Sequence, residues 1–167
     1  KIESLPRIRF AAIALPAPGF GADMMTEAVL SALLSLEGLL HAAGIEAQSP
    51  VFQVHDGDPD AGTLMTYVGI AVDDDVSEVP EPAQLYELPR VEHAAVVTRV
   101  VPYLTNYNDI YGELATWFEP RGYSHAGAGR DHYVDLSDLA NAVMRTEWPL
   151  QQTGEVPPDT TPTRWTA

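Results

Sequence analysis

The chain has 167 residues, of which 46% are hydrophobic; this is enough for one ordinary domain with a real core, and it excludes global disorder. Nine basic and 24 acidic residues give a net charge of −15, which argues against direct contact with nucleic acid, because such contact relies on Lys and Arg displacing counterions. No cysteine is present for disulfides or thiol chemistry, and no apolar run is long enough to span a bilayer. We therefore expect a cytoplasmic protein with no membrane partner. The start at Lys1 is compatible with a piece of a longer protein, such as a domain behind an N-terminal DNA-binding module.

The order strand, helix, strand, strand occurs twice along the chain. The segment from Glu3 aligns with the segment from Tyr86 at an offset of 83, and the next two elements align at an offset of 78. Agreement over three successive elements indicates an internal repeat. The predicted organisation is one domain over 1–150 made of two repeats (1–72 and 83–150), an acidic linker (73–82) and a flexible C-terminal tail (151–167).

In the first repeat, a strand over Arg7–Leu15 leads through a Pro/Gly loop into an amphipathic helix. Asp23 is a suitable N-cap for this helix, and Gly44 is placed to end it in the left-handed conformation. A hairpin of two strands, Pro50–Asp56 and Thr63–Val72, follows.

The second repeat opens with a strand over Leu88–Val100 and continues with a helix capped by Thr105 or Asn106 that stops near Glu119. The last hairpin covers Arg130–Asp135 and Val143–Leu150. Hairpins combined with two such helices predict an α+β domain: one antiparallel sheet with both helices on one face.

Glu147 is unusual because it lies in the middle of a short apolar strand. It shares a strand face with Arg145, opposite the face of Met144 and Trp148. It either points into water or occupies a cleft that uses its charge. Gly69 occupies the same repeat position, so two related strands meeting near a pseudo-two-fold axis would create a hollow with one carboxylate in it. The alternative is that Gly69 marks a bulge or a close backbone approach.

Three segments resemble the GyrI-like, or bacterial transcription-activator effector-binding, family: LYELPRVEHAAVVTRVVPYL, LATWFEPRGY, and GRDHYVD followed by TEWPL. The resemblance covers roughly residues 2–150. It implies tandem strand–helix–strand–strand modules enclosing a ligand cleft at the pseudo-two-fold, with Glu147 as the buried acid and Tyr133 nearby. The chain departs from the family at Arg99-Val100-Val101, where His-x-Gly is usual, and this changes the loop at the cleft rim.

Burial without a partner would raise the pKa of Glu147 in an empty site. Aromatic residues can meet a cation by their ring faces or can simply belong to the core, and His93 aligns with Phe10, which favours a histidine at the edge of the core. Besides Glu147 and Tyr133, the ligand-binding candidates are Trp117, Tyr103, Tyr107, Tyr111, Tyr67, Gly69, Arg145 and His93.

The function we expect is binding of an amphipathic, cationic or aromatic drug-like molecule, as the sensor of a multidrug-responsive regulator or as a stand-alone binder. The resemblance also implies an alternative, a hydrolase that opens strained rings of alkylating natural products, with Glu147 as general base and Tyr133 as acid. A domain that only contacts other proteins is a third interpretation. No cofactor is indicated: Gly19-Phe-Gly21 lacks the third glycine of a dinucleotide site, and His125 and His132 do not have metal-ligand spacing.

Overall fold

The computed structural model describes residues 1–17, 27–58, 60–102 and 107–165, and for residues 107–110 it describes the backbone alone. The predicted caps Asp23, Thr105 and Asn106 and the Gly19–Gly21 motif lie outside this part. The described elements are β1 (Ile2–Leu5), β2 (Ile8–Pro16), α1 (Glu27–Ala42), β3 (Phe52–Asp56), β4 (Met65–Ala71), β5 (Gln84–Leu88), β6 (Val91–Val101), α2 (Tyr107–Phe118), β7 (Tyr123–His125), β8 (Gly129–Asp135), β9 (Ala142–Gln152) and β10 (Thr163–Arg164).

The strands form an antiparallel sheet in the order β1-β6-β9-β8-β3-β4-β2-β5-β10, and β7 pairs with the end of β9. Both helices cover the same face of this sheet. Along β9, Met144 packs in the cluster under α1 and Leu150 packs in the cluster under α2, and residues an even number apart share one face of a strand. The predicted α+β fold is confirmed. In the described part of the chain, neither helix has the length and apolarity to cross a membrane.

The sheet curls back on itself where Pro6 interrupts the path from β1 to β2 and Pro89 interrupts the path from β5 to β6. Leu5 of β1 pairs with Val91 of β6, and Ile8 of β2 pairs with Leu88 of β5, so both pairs belong to one ribbon. β1 is the first strand in the order and β2 lies near the other end, yet only two residues connect them. This short connection brings the two ends of the sheet together. The sheet face away from the helices is therefore an interior, with Phe10, Phe52, Val54 and Leu88 fully buried.

The pseudo-two-fold axis passes through the centre of the sheet. Gln53 of β3 pairs directly with Asp131 of β8, and the two residues are 78 positions apart, the offset between the repeats. Each repeat consequently contributes three strands to one half of the sheet, β2, β3 and β4 from the first and β6, β8 and β9 from the second, and the helices lie on either side of the axis.

A register shift in β6 changes one predicted equivalence. Between Glu3 and Leu5 the pairing of β1 with β6 slips by one residue, so β6 carries one extra residue between Val91 and Ala94. Phe10 pairs with Ala71, and Ala94 pairs with Pro149, the repeat equivalent of Ala71. Ala94, rather than His93, therefore takes the place of Phe10.

The segment after Gln151 is not the free tail that the sequence predicts. Thr163 and Arg164 form β10 on the open edge of β5, and the Arg9 guanidinium lies 4.2 Å from the ring centroid of Trp165. Thr160 is buried, and its Oγ1 accepts a hydrogen bond of 3.1 Å from the backbone of Ala128. Edge pairing and a cation–π contact are the physical reasons for this order.

Candidate functional site

A cleft of about 380 Å³ opens on the helix side of the sheet, beside the pseudo-two-fold axis. It lies between the end of β3, the start of β8, α2 and β9. We call it the aromatic cleft. Its main lining residues are His55, Asp56, Tyr111, His125, Gly129 and Trp148.

Trp148 forms the central wall of the aromatic cleft. Its ring centroid lies 4.6 Å from that of Tyr111 and 4.4 Å from that of His125, and Phe118 meets it edge-on at 5.4 Å. Strand alternation in β9 turns Trp148 toward the helices. A Cβ atom at Gly129 would come within 2.8 Å of the Tyr111 hydroxyl, so the glycine is what lets Tyr111 approach the sheet.

Asp131 is a fully buried carboxylate beside this cleft. Its Oδ2 accepts a hydrogen bond of 3.1 Å from the Tyr111 hydroxyl and lies 2.8 Å from Nε2 of His55. Its Oδ1 accepts a hydrogen bond of 2.7 Å from Thr146 Oγ1. These contacts fix Tyr111 and His55 in the cleft wall.

Sequence reasoning missed Asp131, His55 and Trp148 as site residues. One signal for Asp131 was available, because it is the repeat equivalent of Gln53 and breaks the symmetry with a charge. The ring contacts of Trp148 depend on α2 and β7, which the strand pattern alone does not position.

Among the described residues that line the aromatic cleft, Asp56 carries a carboxylate and there is no Lys or Arg. Burial raises the pKa of Asp56, the charge of Asp159 raises it further, and a backbone hydrogen bond from Gly57 opposes this. Burial lowers the pKa of His125, and its hydrogen bond with the Gly127 carbonyl opposes the shift. At neutral pH His125 is therefore uncharged. Among the described residues, no three His, Asp or Glu side chains are grouped so that they could hold a metal ion.

Glu147 is buried, with 6% of its surface exposed, but it lies on the interior face of the sheet rather than in the aromatic cleft. Its Oε1 lies 2.6 Å from His132 Nε2, and its Oε2 accepts a hydrogen bond of 3.0 Å from Arg145 Nε. Burial, the largest single influence, raises its pKa, yet the bonds to His132 and Arg145 and the charges of His132 and Arg130 together hold that pKa below its usual value. The expected rise is wrong because cations of the protein itself compensate the charge.

The predicted hollow between Gly69 and Glu147 does not form. Strands β4 and β9 are separated by β3 and β8, so the two positions are not neighbours. A Cβ atom at Gly69 would lie 2.6 Å from Cδ2 of Phe10. Gly69 thus serves a close approach, the alternative interpretation, and the Phe10 ring fills the space.

The other predicted ligand contacts are dispersed. Tyr133 is buried under α1, on the sheet face opposite Glu147, so the two are not brought together. Tyr103 lies outside the described residues, as does the side chain of Tyr107. Of the described candidates, Tyr111 lines the aromatic cleft, whereas the following do not: Trp117, which stacks with Arg121; Tyr67, which contacts Tyr86; Arg145, which bonds Glu3; and His93, 4.0 Å from Glu155.

No protein-family model and no curated protein matches the chain. Several solved structures share its fold. The EcmrR C-terminal domain is 17% identical with a TM-score of 0.67, covering 92% of this chain and 97% of that one. SAV2435 bound to tetraphenylphosphonium is 9% identical with a TM-score of 0.61, covering 90% and 93%. A hydrolase from Listeria innocua is 15% identical with a TM-score of 0.58, covering 90% and 92%.

EcmrR in the EcmrR-DNA complex in EcmrR-RPo is 17% identical with a TM-score of 0.69, and the match covers 92% of this chain. The present chain spans only 57% of the length of that EcmrR chain. These likenesses show that the chain shares the fold of the EcmrR C-terminal domain and of SAV2435.

Proposed function

We propose that this GyrI-like fold is a sensor domain for small cationic aromatic molecules, which bind in the aromatic cleft. The observation that carries the proposal is the wall of Trp148 and Tyr111 next to two carboxylates, Asp56 at the cleft and Asp131 behind it. Ring faces attract cations, and carboxylates in a partly desolvated cleft attract them more strongly than carboxylates in water.

The dimensions and rigidity of the cleft support this proposal. A volume of about 380 Å³ is within the range of clefts that hold drug-sized ligands. The hydrogen bond from Tyr111 to Asp131 and the close approach over Gly129 hold one aromatic wall in place before a ligand arrives. A preformed wall lowers the entropy cost of binding.

We infer that the domain reports ligand to a DNA-binding domain outside this chain, or acts alone as a binder. The net charge of −15 is unfavourable for contacts with DNA by this chain itself. The similarity to EcmrR, seen in a complex with DNA, and to SAV2435, seen with tetraphenylphosphonium, supports the sensor role.

Titration with tetraphenylphosphonium, followed by calorimetry, tests the proposal. We expect saturable one-to-one binding that Trp148→Leu weakens at least tenfold, because the central wall is lost. Trp117→Leu is the matched control, since Trp117 stacks with Arg121 outside the cleft. Equal affinity in the Trp148 variant, or no binding by the unmodified protein, would overturn the proposal.

A hydrolase is the second candidate. The pair that supports it is His55–Asp131, and not the pair Glu147 and Tyr133 named from the sequence. His55 lines the cleft and lies 2.8 Å from the buried carboxylate, an arrangement suited to a general base. Ring-opened product from a cyclopropane-bearing alkylator, lost in His55→Gln but kept in Glu147→Gln, would establish this function. Unchanged substrate with the unmodified protein would remove it.

A further inference from the structure

A second cleft, of about 650 Å³, lies between α1 and the end of β8. We call it the aliphatic cleft. Its main lining residues are Leu33, Leu34, Glu37, Tyr133, Val134 and Asp135. It is on the helix side of the sheet, at the opposite end of the central strand pair from the aromatic cleft, since β3 and β8 run antiparallel.

The two clefts are related by the internal repeat. When the nine residues lining the aromatic cleft are shifted by the repeat offset of 78, eight of them fall on residues that line the aliphatic cleft. His55 and Gly129 are shifted in opposite directions, to Tyr133 and Val51. The exception is Trp148, whose equivalent Ile70 is buried in the core. The aliphatic cleft is therefore the pseudo-symmetric counterpart of the aromatic one.

The side chains that replace the aromatic wall are aliphatic. Leu33 stands in the place of Tyr111, and Ala47 in the place of His125. Two large apolar side chains of this cleft remain uncovered, Leu34 with 62% and Val134 with 49% of their surface exposed. Such exposure of neighbouring apolar groups is typical of a surface that binds something apolar.

The charged groups of the aliphatic cleft have one sign. Among the residues that the structure describes, its lining contains Glu37 and Asp135 and no Lys, Arg or His. Hydrogen bonds from Ser137 lower the pKa of Asp135, so this carboxylate is ionised at neutral pH. A ligand with a cationic head and an apolar chain complements both properties.

We propose that the aliphatic cleft is a second ligand site, which takes cationic amphiphiles with an unbranched alkyl chain. The chain lies against Leu33, Leu34 and Val134, and the head faces Glu37 and Asp135. This inference depends on the lining of the cleft itself and stands whether or not the aromatic cleft binds its own ligand.

The test is a titration of the protein with dodecyltrimethylammonium, below the concentration at which micelles form, followed by backbone amide NMR. We expect shifts at Ala47 and Val51 that saturate on their own curve, distinct from any shift at Gly129 in the aromatic cleft. Dodecyl sulfate is the probe of equal chain length and opposite charge, and it should shift Ala47 and Val51 at least tenfold less at equal concentration. Absence of shifts at Ala47 and Val51, or equal binding of both detergents, would overturn the proposal.

Charge changes at Val134 sharpen the test, because this exposed residue is the repeat equivalent of Asp56. Val134→Asp should tighten binding of the cation about fivefold, and Val134→Arg should weaken it by a similar factor, as expected for about 1 kcal/mol between charges near a surface. Val100→Arg is the matched control, since Val100 is 64% exposed and lines neither cleft. Equal effects of the two arginine variants would contradict the site, whereas loss of binding at Gly129 alone would concern only the aromatic cleft.

Discussion

Gln53 and Asp131 occupy the same position of the two repeats and pair directly across β3 and β8. One is an amide and the other a carboxylate, so the symmetry of the backbone is broken by charge at the axis. The carboxylate gathers Tyr111, Thr146 and His55 around itself. The polar cluster of the aromatic cleft is built around this carboxylate.

Asp131→Asn should lower the free energy of unfolding by about 2 kcal/mol, because an amide replaces one carboxylate acceptor in a buried cluster. Urea denaturation at pH 7 measures the change. Asp73→Asn is the control, since Asp73 is exposed. Equal denaturation midpoints for the two variants would show that the cluster does not contribute to stability.

Gly69→Ala should cost about 2 kcal/mol, because its Cβ would lie 2.6 Å from the fully buried ring of Phe10. Phe10→Leu in the same chain should recover part of that loss. Gly38→Ala in α1 provides the contrast: nothing lies within 4 Å of its Cβ position, so it should stabilise the protein by about 0.8 kcal/mol through helix propensity. Thermal unfolding measures the change in stability for each variant. A change of the same sign for Gly69→Ala and Gly38→Ala would contradict the close approach at Gly69.

Arg130→Met should leave the free energy of unfolding unchanged or raise it by up to about 2 kcal/mol. Arg130 is fully buried, and within the described part of the chain its three guanidinium nitrogens have no hydrogen-bond partner. Burial lowers its pKa, against the influence of Glu147. Arg145→Met, which loses bonds to Glu147 and Glu3, should instead destabilise. A larger loss for Arg130→Met than for Arg145→Met in guanidinium denaturation would disprove this difference.

Binding of tetraphenylphosphonium should weaken as the pH falls toward the raised pKa of Asp56. Burial raises that pKa above its ordinary value, so the carboxylate loses its charge at a higher pH than an exposed aspartate would. Asp56→Asn should bind the cation more weakly at pH 7 and lose most of this pH dependence. Triphenylphosphine oxide, which is neutral, should show no such dependence with either protein. Parallel pH curves for the two proteins, measured by calorimetry, would exclude Asp56 as the counterion.

Thr160→Val should lower the free energy of unfolding by about 1 kcal/mol, because it leaves the backbone N–H of Ala128 without its hydrogen-bond acceptor in the buried contact. Thr161→Val, one residue later and exposed, should change stability very little. Chemical denaturation of both variants gives the comparison. Similar values would mean that the C-terminal segment adds no stability through Thr160.

Sequence reasoning was sufficient for features that depend on local pattern. The duplicated strand–helix–strand–strand order, the helix side of β9 and the left-handed Gly44 (φ 73°) are all present. Alternation and turn chemistry carry these predictions, and neither requires knowledge of distant partners. The burial of Glu147 agrees with what the family resemblance implies, whereas its strand position alone left exposure to water open.

The site could not be predicted as fully, because it depends on strand order and on one inserted residue. The hollow at Gly69 required β4 and β9 to be neighbours, whereas the pairing of β3 with β8 places two strands between them. Because of the slip in β6, Ala94 and not His93 is the repeat equivalent of Phe10. The cations that lower the pKa of Glu147 come from β8 and from its own strand, and a carboxylate in a sequence does not reveal such partners.

In the ribbon formed by β1, β2, β5 and β6, each half of the chain contributes one strand to the other half of the sheet. β1 of the first half completes the sheet beside β6, and β5 of the second half completes it beside β2. A polypeptide cut between residues 72 and 83 would consist of two pieces that each lack a strand of their own half of the sheet, so they should fold only as a reassembled pair. A half-length ancestor with this architecture would have been an intertwined homodimer with two identical clefts, and fusion of its genes would have freed each cleft to acquire its own chemistry.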